Sequence, residues 1–384
     1  MNILIISKCP THPTSAGNRQ WILGQAEIFK SLGYKVHFLY IYEPAIHSAL
    51  NAESQKDIEF TKKYWKDEFH MFTVKKHQKY KMLAVKYLRK YFNNSHYKVD
   101  DQYPYGLENM VNKLNSRYHF DVCVINYYYL SRLFEHIHIP KKAIVTHDAI
   151  AYKDLKIGMP IMCITSDTEA KAMQRCPNIF ALQEQEADYF QILSPNSKIF
   201  NLYGNFEYHV QPFVGNHKMV FLSGNNVFNQ NGIKWFLKDV FPIIRKAFTD
   251  AELLVGGSIC KVLPSLGEIE GVKALGYIDN PADFYSQADV AINPVFQGTG
   301  LKIKTFESIS FDKVTLVHPH SMAGVFKKDN APLFASDKPE DWVKFLKNIW
   351  ENPNEIKAIK QRNKEYLDSM NKFIMEEYKR FFNS

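Results

Sequence analysis

The sequence predicts an α/β protein built from two doubly wound domains, and three observations carry that reading. Short apolar runs recur along the chain, and many lead through a turn into apolar residues at helical spacing. Residues 203–218 interrupt this rhythm with two Gly, one Pro and no periodicity. A length of 384 residues is too great for one average core and suits two.

The elements follow in order. Ile3-Leu-Ile-Ile6 is a wholly apolar strand closed by Ser7-Lys-Cys-Pro10. Trp21, Ile22, Ala26, Phe29 and Leu32 then mark a helix ended by Gly33, and Lys35–Ile41 is a second strand. Strand, helix and strand within forty residues make a βαβ unit with its ligand-side loops at the strand carboxyl ends. Residues 120–125 and 143–148 resume the pattern, and a helix around Glu184–Phe190 precedes a short strand at 198–202. Beyond the break, strands are expected at 219–222, 251–255, 272–275, 289–293 and 314–317. Helices are expected near 230–247, 281–288 and 301–310, and the tail from Pro339 is strongly helical.

Composition narrows the class. Hydrophobic residues are 46% and charged residues 23%, the balance of an ordinary folded protein. No run approaches the ~18 apolar residues of a membrane span, and the amino terminus reads as a first strand rather than a signal peptide. Five scattered cysteines without a Cys-x-x-Cys pair point away from disulfides and zinc, and towards a reducing cytoplasm. A net charge of +8 admits an anionic partner without naming it.

That charge is concentrated. Residues 55–98 hold twelve Lys or Arg against four acids, interleaved with aromatic residues such as Trp65, Tyr80, Tyr87 and Tyr91. Either this is an amphipathic helix pair with solvated lysines, or it is a surface for anionic lipid headgroups. No nucleic-acid recognition module is visible.

The most informative window is Asp289–Ser310. A strand ends at Asn293-Pro294, a loop carries Gly298 and Gly300, and a helix begins near Leu301. Glycines at a strand-to-helix turn let backbone N–H groups approach a phosphate, and the helix dipole adds its positive end. Lys302 and Lys304 place two charges where a helix start normally disfavours them by ~0.3–1 kcal/mol each, which a bound polyanion would offset. Glu307, one turn on, can pair with Lys304 or accept hydrogen bonds from ribose hydroxyls. A solvated lysine pair on an ordinary α/β helix is the competing reading, since Gly-x-Gly alone is weak.

Gly298-Thr-Gly-Leu-Lys-Ile-Lys-Thr-Phe-Glu307 resembles the donor-site segment of GT-B glycosyltransferases akin to retaining family four. The flanking order matches as well, from Phe221-Leu-Ser-Gly224 through Asn231-Gly232, Leu253–Gly257, Gly276-Tyr-Ile-Asp279 and Phe284–Asp289 to Asn293-Pro294. The resemblance implies a GT-B fold, two Rossmann-like domains facing a cleft, and a nucleoside diphosphate sugar as donor. It implies that Gly298, Thr299, Gly300, Leu301 and Glu307 bind the donor, with Lys302 and Lys304 stabilising the leaving diphosphate. Gly224, Tyr277 and Ile278 are implied on the nucleotide side. In the first half, the loop around Gly17 and Arg19 resembles the family's first glycine-bearing loop, and His147 sits where members place a histidine beside the donor sugar. A bare turn residue beside Asp148 is the plainer reading of His147. Gln183-x-x-Glu186-Ala187-x-x-Phe190 resembles the family's helix near the interdomain cleft.

Two departures stand out. Thr299 occupies the place of a usual glutamate, and Gly224–Gly232 is polar but lacks the usual phosphate-gripping Arg and Lys, which leaves Lys302, Lys304 and Arg19 to supply charge. The expected organisation is an acceptor-side domain over 1–205 with a basic aromatic insertion at about 55–105 and a linker at 206–218. A donor domain would follow over 219–365, with a terminal helix over 366–384 packing back on the first domain. The expected activity is transfer of a sugar, with retention, to a hydroxyl of a glycan or lipid-linked acceptor in bacterial surface polysaccharide or glycoconjugate synthesis. It needs no metal or other cofactor and takes place in the cytoplasm or at the inner face of the plasma membrane. A non-transferase GT-B protein, either a sugar-nucleotide epimerase or a silent partner subunit, is the alternative.

Overall fold

The computed structural model describes residues 1–14, 17–44, 48–92, 95–157, 164–298 and 300–384, so Thr299 and Cys163 lie outside the described residues. The chain divides into two compact units, residues 1–205 with 375–384, and residues 206–374.

The first unit is a seven-stranded parallel sheet in the order β3-β2-β1-β4-β5-β6-β7. Its strands are β1 (Asn2–Ser7), β2 (Lys35–Tyr42), β3 (Phe69–Thr73), β4 (Val122–Asn126), β5 (Lys141–Val145), β6 (Asn178–Ala181) and β7 (Lys198–Asn201). Central strands are buried on both faces, which is why Ile3–Ile6 and Val122–Ile125 are apolar at every position. The chain runs outward from β1 to β3 and returns to β4 on the other side, so the strand order reverses between β1 and β4. Loops leave that point in opposite directions and open a crevice at the strand carboxyl ends.

The stretch expected as an insertion at 55–105 is built into this sheet. Phe69–Thr73 pairs with β2 as an edge strand. The preceding Ser48–Trp65 helix is tied down by Trp65, which stacks on Phe38 at 5.0 Å and donates its indole N–H to Thr11 Oγ1 at 2.8 Å. An edge strand is not buried on both faces, so Phe-His-Met-Phe-Thr lacks the apolar run that marks the central strands.

The second unit repeats the plan with six parallel strands in the order β10-β9-β8-β11-β12-β13. They are β8 (Lys218–Leu222), β9 (Glu252–Gly256), β10 (Val272–Gly276), β11 (Val290–Asn293), β12 (Val314–Val317) and β13 (Leu333–Ala335). Here the order reverses between β8 and β11. Helices Val227–Trp235 and Pro339–Glu351 bury Ile233, Trp342 and Leu346 against this sheet. Asp289, just before β11, accepts from the backbone N–H groups of Val214 and Gly215 and pairs with Lys360 at 3.0 Å. That buried pair is satisfied on all sides, as a buried charge must be.

The tail forms one 31-residue helix, Pro353–Asn383. Its early residues Ile356 and Ile359 join the core of the second unit. Its end belongs to the first unit, where Tyr378 and Phe381 meet Phe29, Phe180 and Phe200 edge-on at 4.8–6.0 Å.

Candidate functional site

In the second unit, both loops at the strand-order reversal converge on one set of side chains. After β8, Ser223-Gly224-Asn225 leads into the Val227–Trp235 helix, capped by Asn226 Oδ1 accepting from the Asn229 N–H at 2.9 Å. Asn229 donates its amide to the Gly224 carbonyl at 2.8 Å, which fixes the turn. After β11, the chain passes Pro294 and reaches Gly298 and Gly300, whose φ values of +100° and +75° lie in the left-handed region that favours glycine. His320 Nε2–H donates to the Gly298 carbonyl at 2.9 Å and holds the loop from behind.

The two loops are in direct contact. A Cβ on Gly232 would stand 2.9 Å from the Pro294 carbonyl oxygen and the Val295 Cα, so only glycine lets this helix approach so closely. Asn231 donates its side-chain amide N–H to Gln297 Oε1 at 2.9 Å. Lys304 then crosses between the loops and donates to Asn229 Oδ1 at 3.1 Å.

The helix after the loop is Ile303–Ser310, two residues shorter at its start than expected, and Lys302 is its cap residue without a side-chain capping bond. Lys302 Nζ lies 3.4 Å from the Gly300 carbonyl. Asn293, at the end of β11, donates to Thr305 Oγ1 at 2.9 Å and fixes the first turn against the sheet. Burial holds the Lys304 ammonium below its ordinary pKa, while Glu307 pulls the other way. Burial likewise raises the Glu307 carboxyl from 4.5 to about 7, opposed by Lys304. The i, i+3 pairing that spacing allowed does not form, because Lys304 reaches Asn229 instead. Among the described residues Glu307 thus makes no hydrogen bond or ion pair through its carboxyl, one turn beyond the glycine loop, and feels Lys304 only through space. Ile278 packs with Leu222 beside Gly256, whereas Tyr277 is 76% exposed.

The first unit holds a second cluster at its own reversal point. His147 follows β5 with a φ of +60°, is buried, and contacts Asn126 Oδ1 through Nε2 at 2.8 Å. Asn126 spends its amide N–H on the Ile6 carbonyl at 3.3 Å, so its Oδ1 is the acceptor and His147 Nε2–H the donor. Burial lowers the His147 pKa from 6.5 to about 3, leaving a neutral ring with Nδ1 bare. Tyr127 stacks on the ring at 4.4 Å and Trp21 meets it edge-on at 5.4 Å. A neutral ring at this pKa is suited to positioning a hydroxyl and unsuited to general base chemistry near pH 7. Asp148 is engaged elsewhere, 2.9 Å from Lys153.

Gly17 opens the Gly17–Ser31 helix, and Asn18 donates to Tyr127 Oη at 3.2 Å, joining this loop to the His147 cluster. Arg19 departs from expectation. Its guanidinium pairs with Asp57 at 2.8 Å and donates to the carbonyls of His12 and Pro13, so its charge is already matched within the unit. Asp57 lies 38 positions away, which no local spacing could reveal. The predicted site residues thus fall into two groups: Gly17, Arg19 and His147 in the first unit, and Gly224, Tyr277, Ile278, Gly298, Gly300, Leu301, Lys302, Lys304 and Glu307 in the second. Reasoning from sequence missed Asn229 and Asn126. The only signal for the first was the density of Asn at 225, 226, 229 and 231. Among the described residues no group of three or more His, Cys, Asp or Glu could hold a metal ion.

Residues 216–352, which include the whole second cluster, match the family described as Glycosyl transferases group 1. The second unit carries a group 1 glycosyltransferase domain. This match, with the GT-B fold, makes the chain a glycosyltransferase. Among curated proteins, the chain is 23% identical over 338 residues to an uncharacterized 44.6 kDa protein in the cps region of Klebsiella pneumoniae, covering 80% of each. Among solved structures, TarM has a TM-score of 0.70 at 10% identity, covering 100% of this chain and 99% of that one. The pneumococcal O-GlcNAc transferase GtfA, solved with UDP and GlcNAc, has a TM-score of 0.65 at 11% identity, covering 99% and 98%. At these identities the likeness is one of fold. The glycosyltransferase domain places its glycine loop and both lysines where an open α/β sheet takes its ligand.

Proposed function

We propose that this glycosyltransferase moves a sugar from a nucleoside diphosphate sugar to a hydroxyl of a glycan or lipid-linked acceptor, with retention, in the synthesis of bacterial surface polysaccharide or glycoconjugates. The second unit takes the donor and the first unit the acceptor. The observation that carries the reading is the Lys304–Asn229–Gly224 chain of hydrogen bonds, which holds a cation between the two loops at the reversal of strand order. The relative in a cps region supports the polysaccharide setting, and UDP bound in GtfA supports the donor class.

In the reaction the anomeric C–O bond breaks and the bonding pair leaves with the diphosphate, while the acceptor hydroxyl oxygen bonds the anomeric carbon and its proton passes to the departing diphosphate oxygen. The main cost is charge on the departing diphosphate. In this reading the backbone N–H groups of Gly298, Gly300 and Leu301, with Lys302 and Lys304, offset it, and preorganised groups need no reorientation as charge develops. This supply of positive charge makes a metal unnecessary to the reading. Glu307 accepts the ribose hydroxyls, and Nδ1 of His147 accepts from a sugar hydroxyl.

The same reading places the protein in the cytoplasm, in peripheral contact with an anionic membrane through residues 55–98. Among the described residues no helix is long and apolar enough to cross a membrane. Thermal-shift screening of nucleoside diphosphates and their sugars tests the donor assignment. Stabilisation by one base and its sugar conjugates is expected, and no stabilisation by any of them would overturn it.

A further inference from the structure

The basic aromatic stretch resolves into two helices with opposite fates. In Ser48–Trp65, Ile58, Thr61 and Trp65 are buried against the sheet. In Lys76–Tyr91 the large apolar side chains face the other way. Tyr80, Leu83, Tyr87, Leu88 and Tyr91 are 48–83% exposed, and Phe92 just beyond is 72% exposed. Among the described residues an inner face holds this helix to the unit: Met82 packs on the core, Gln78 donates to the Tyr105 carbonyl at 2.8 Å, Lys79 donates to the Pro44 carbonyl, and the Lys81 stem carries its ammonium over the Tyr105 ring. At 3.6 residues per turn, the five exposed residues form one stripe centred about 180° from Met82.

A stripe of this kind in contact with water is unfavourable, and its charge says what covers it. The segment 76–91 contains six Lys or Arg and no acid. Helical spacing sets Lys86 to one side of the stripe and Lys81 to the other, and both are exposed. An apolar face edged by cations is complementary to an anionic bilayer surface, where the stripe enters the boundary of headgroups and acyl chains and the lysines meet phosphates. A protein partner for this face would have to be both apolar and strongly acidic.

We infer that the Lys76–Tyr91 helix is an in-plane membrane anchor for bilayers containing anionic lipid, with Tyr80, Leu83, Tyr87, Leu88 and Tyr91 as its inserted face. This narrows the peripheral-membrane part of the proposed function to one helix, and it excludes Ser48–Trp65, whose apolar side is already used. The inference rests on that part of the reading alone and stands whether or not the donor site is assigned correctly.

The test is co-sedimentation of the full-length protein with vesicles, without donor. One set is phosphatidylcholine alone and the other contains phosphatidylglycerol. Binding is expected only to the phosphatidylglycerol vesicles, and it should weaken as salt screens the lysines. Leu83→Glu and Leu88→Glu should each lower the partition coefficient about tenfold or more. Melting temperature and nucleoside diphosphate affinity should stay those of the wild type, since these side chains are exposed and remote in sequence from the donor loops. The inference is overturned if the protein ignores phosphatidylglycerol vesicles, or if both variants bind them as the wild type does. It is also overturned if sedimentation velocity shows a dimer that these substitutions dissolve, because the stripe would then be a contact between two copies. Loss of nucleotide affinity in the wild type would count against the donor site and leave the anchor untouched.

Discussion

Lys304 Nζ donates to Asn229 Oδ1 at 3.1 Å, joining residues 75 positions apart across the two loops where the strand order of the second unit reverses. Asn229 in turn is held by the Gly224 carbonyl at 2.8 Å, so the ammonium is fixed by a side chain that is itself fixed. A cation positioned before substrate arrives can stabilise a developing diphosphate charge without reorganising.

Lys304→Ala should therefore lower turnover by roughly 10²–10³-fold, the usual effect of removing one preorganised donor. Asn229→Ala should cost less, and the double variant should be less impaired than the sum of the two, because the second change acts through the first. Steady-state kinetics supply the cycle. Additive losses would mean that Asn229 does not position Lys304.

Glu307 gives the donor site a pH signature. Its carboxyl is raised from 4.5 to about 7 by burial, so the folded state holds a proton that the unfolded chain releases. The sign follows: stability from this group is present below pH 4.5 and is lost as pH rises through 7. Glu307→Gln should leave the melting temperature unchanged near pH 4 and raise it at pH 8, by an amount corresponding to at most about 3 kcal/mol. A nucleotide whose ribose needs the ionised carboxylate should drive off a proton on binding near pH 6.5. Calorimetry in buffers of different ionisation enthalpy reads that proton directly.

His147 points to a different experiment. With its pKa lowered to about 3, the ring is neutral throughout the working range, and the activity profile should show no inflection from it between pH 5 and 9. Its contribution to stability is complete above pH 6.5 and is lost as pH falls towards 3. His147→Asn suits the left-handed backbone at φ +60°, and it should flatten that acid limb of the melting curve. Turnover should fall roughly tenfold through loss of one hydrogen bond, while nucleoside diphosphate affinity is preserved. A matching loss of nucleotide affinity would move this residue out of the acceptor-side role.

Gly232→Ala tests the contact between the loops. The added methyl would sit 2.9 Å from the Pro294 carbonyl oxygen and the Val295 Cα, both backbone atoms of the loop that runs on to Gly298. About 1–3 kcal/mol of stability should be lost by overpacking, with weaker nucleotide binding as the loops part. Thermal melts with and without nucleoside diphosphate separate the two effects.

Much of the architecture was legible because buried parallel strands leave continuous apolar runs, as in Ile3–Ile6, Val122–Ile125 and Leu253–Val255. Three strands were not. Phe69–Thr73 and Leu333–Ala335 lie at sheet edges and are not buried on both faces, while Asn178–Ala181 ends two residues short of the Glu184–Leu193 helix, which hides its apolar run. The glycine loop and its lysines could be read because they are adjacent in sequence. The partners that give them meaning could not: Asn229 for Lys304, Asp57 for Arg19 and Asn126 for His147 are brought together only by the crossovers.

The terminal helix sets an order of events during synthesis. Tyr378 and Phe381 complete an aromatic cluster with Phe29, Phe180 and Phe200, residues that leave the ribosome far earlier. The first half of the chain therefore emerges with part of its interior uncovered, and the second half is translated before the cover arrives. Residues 375–384 thus close the core of the first unit, and a chain released before they are made would leave that earliest-made core open.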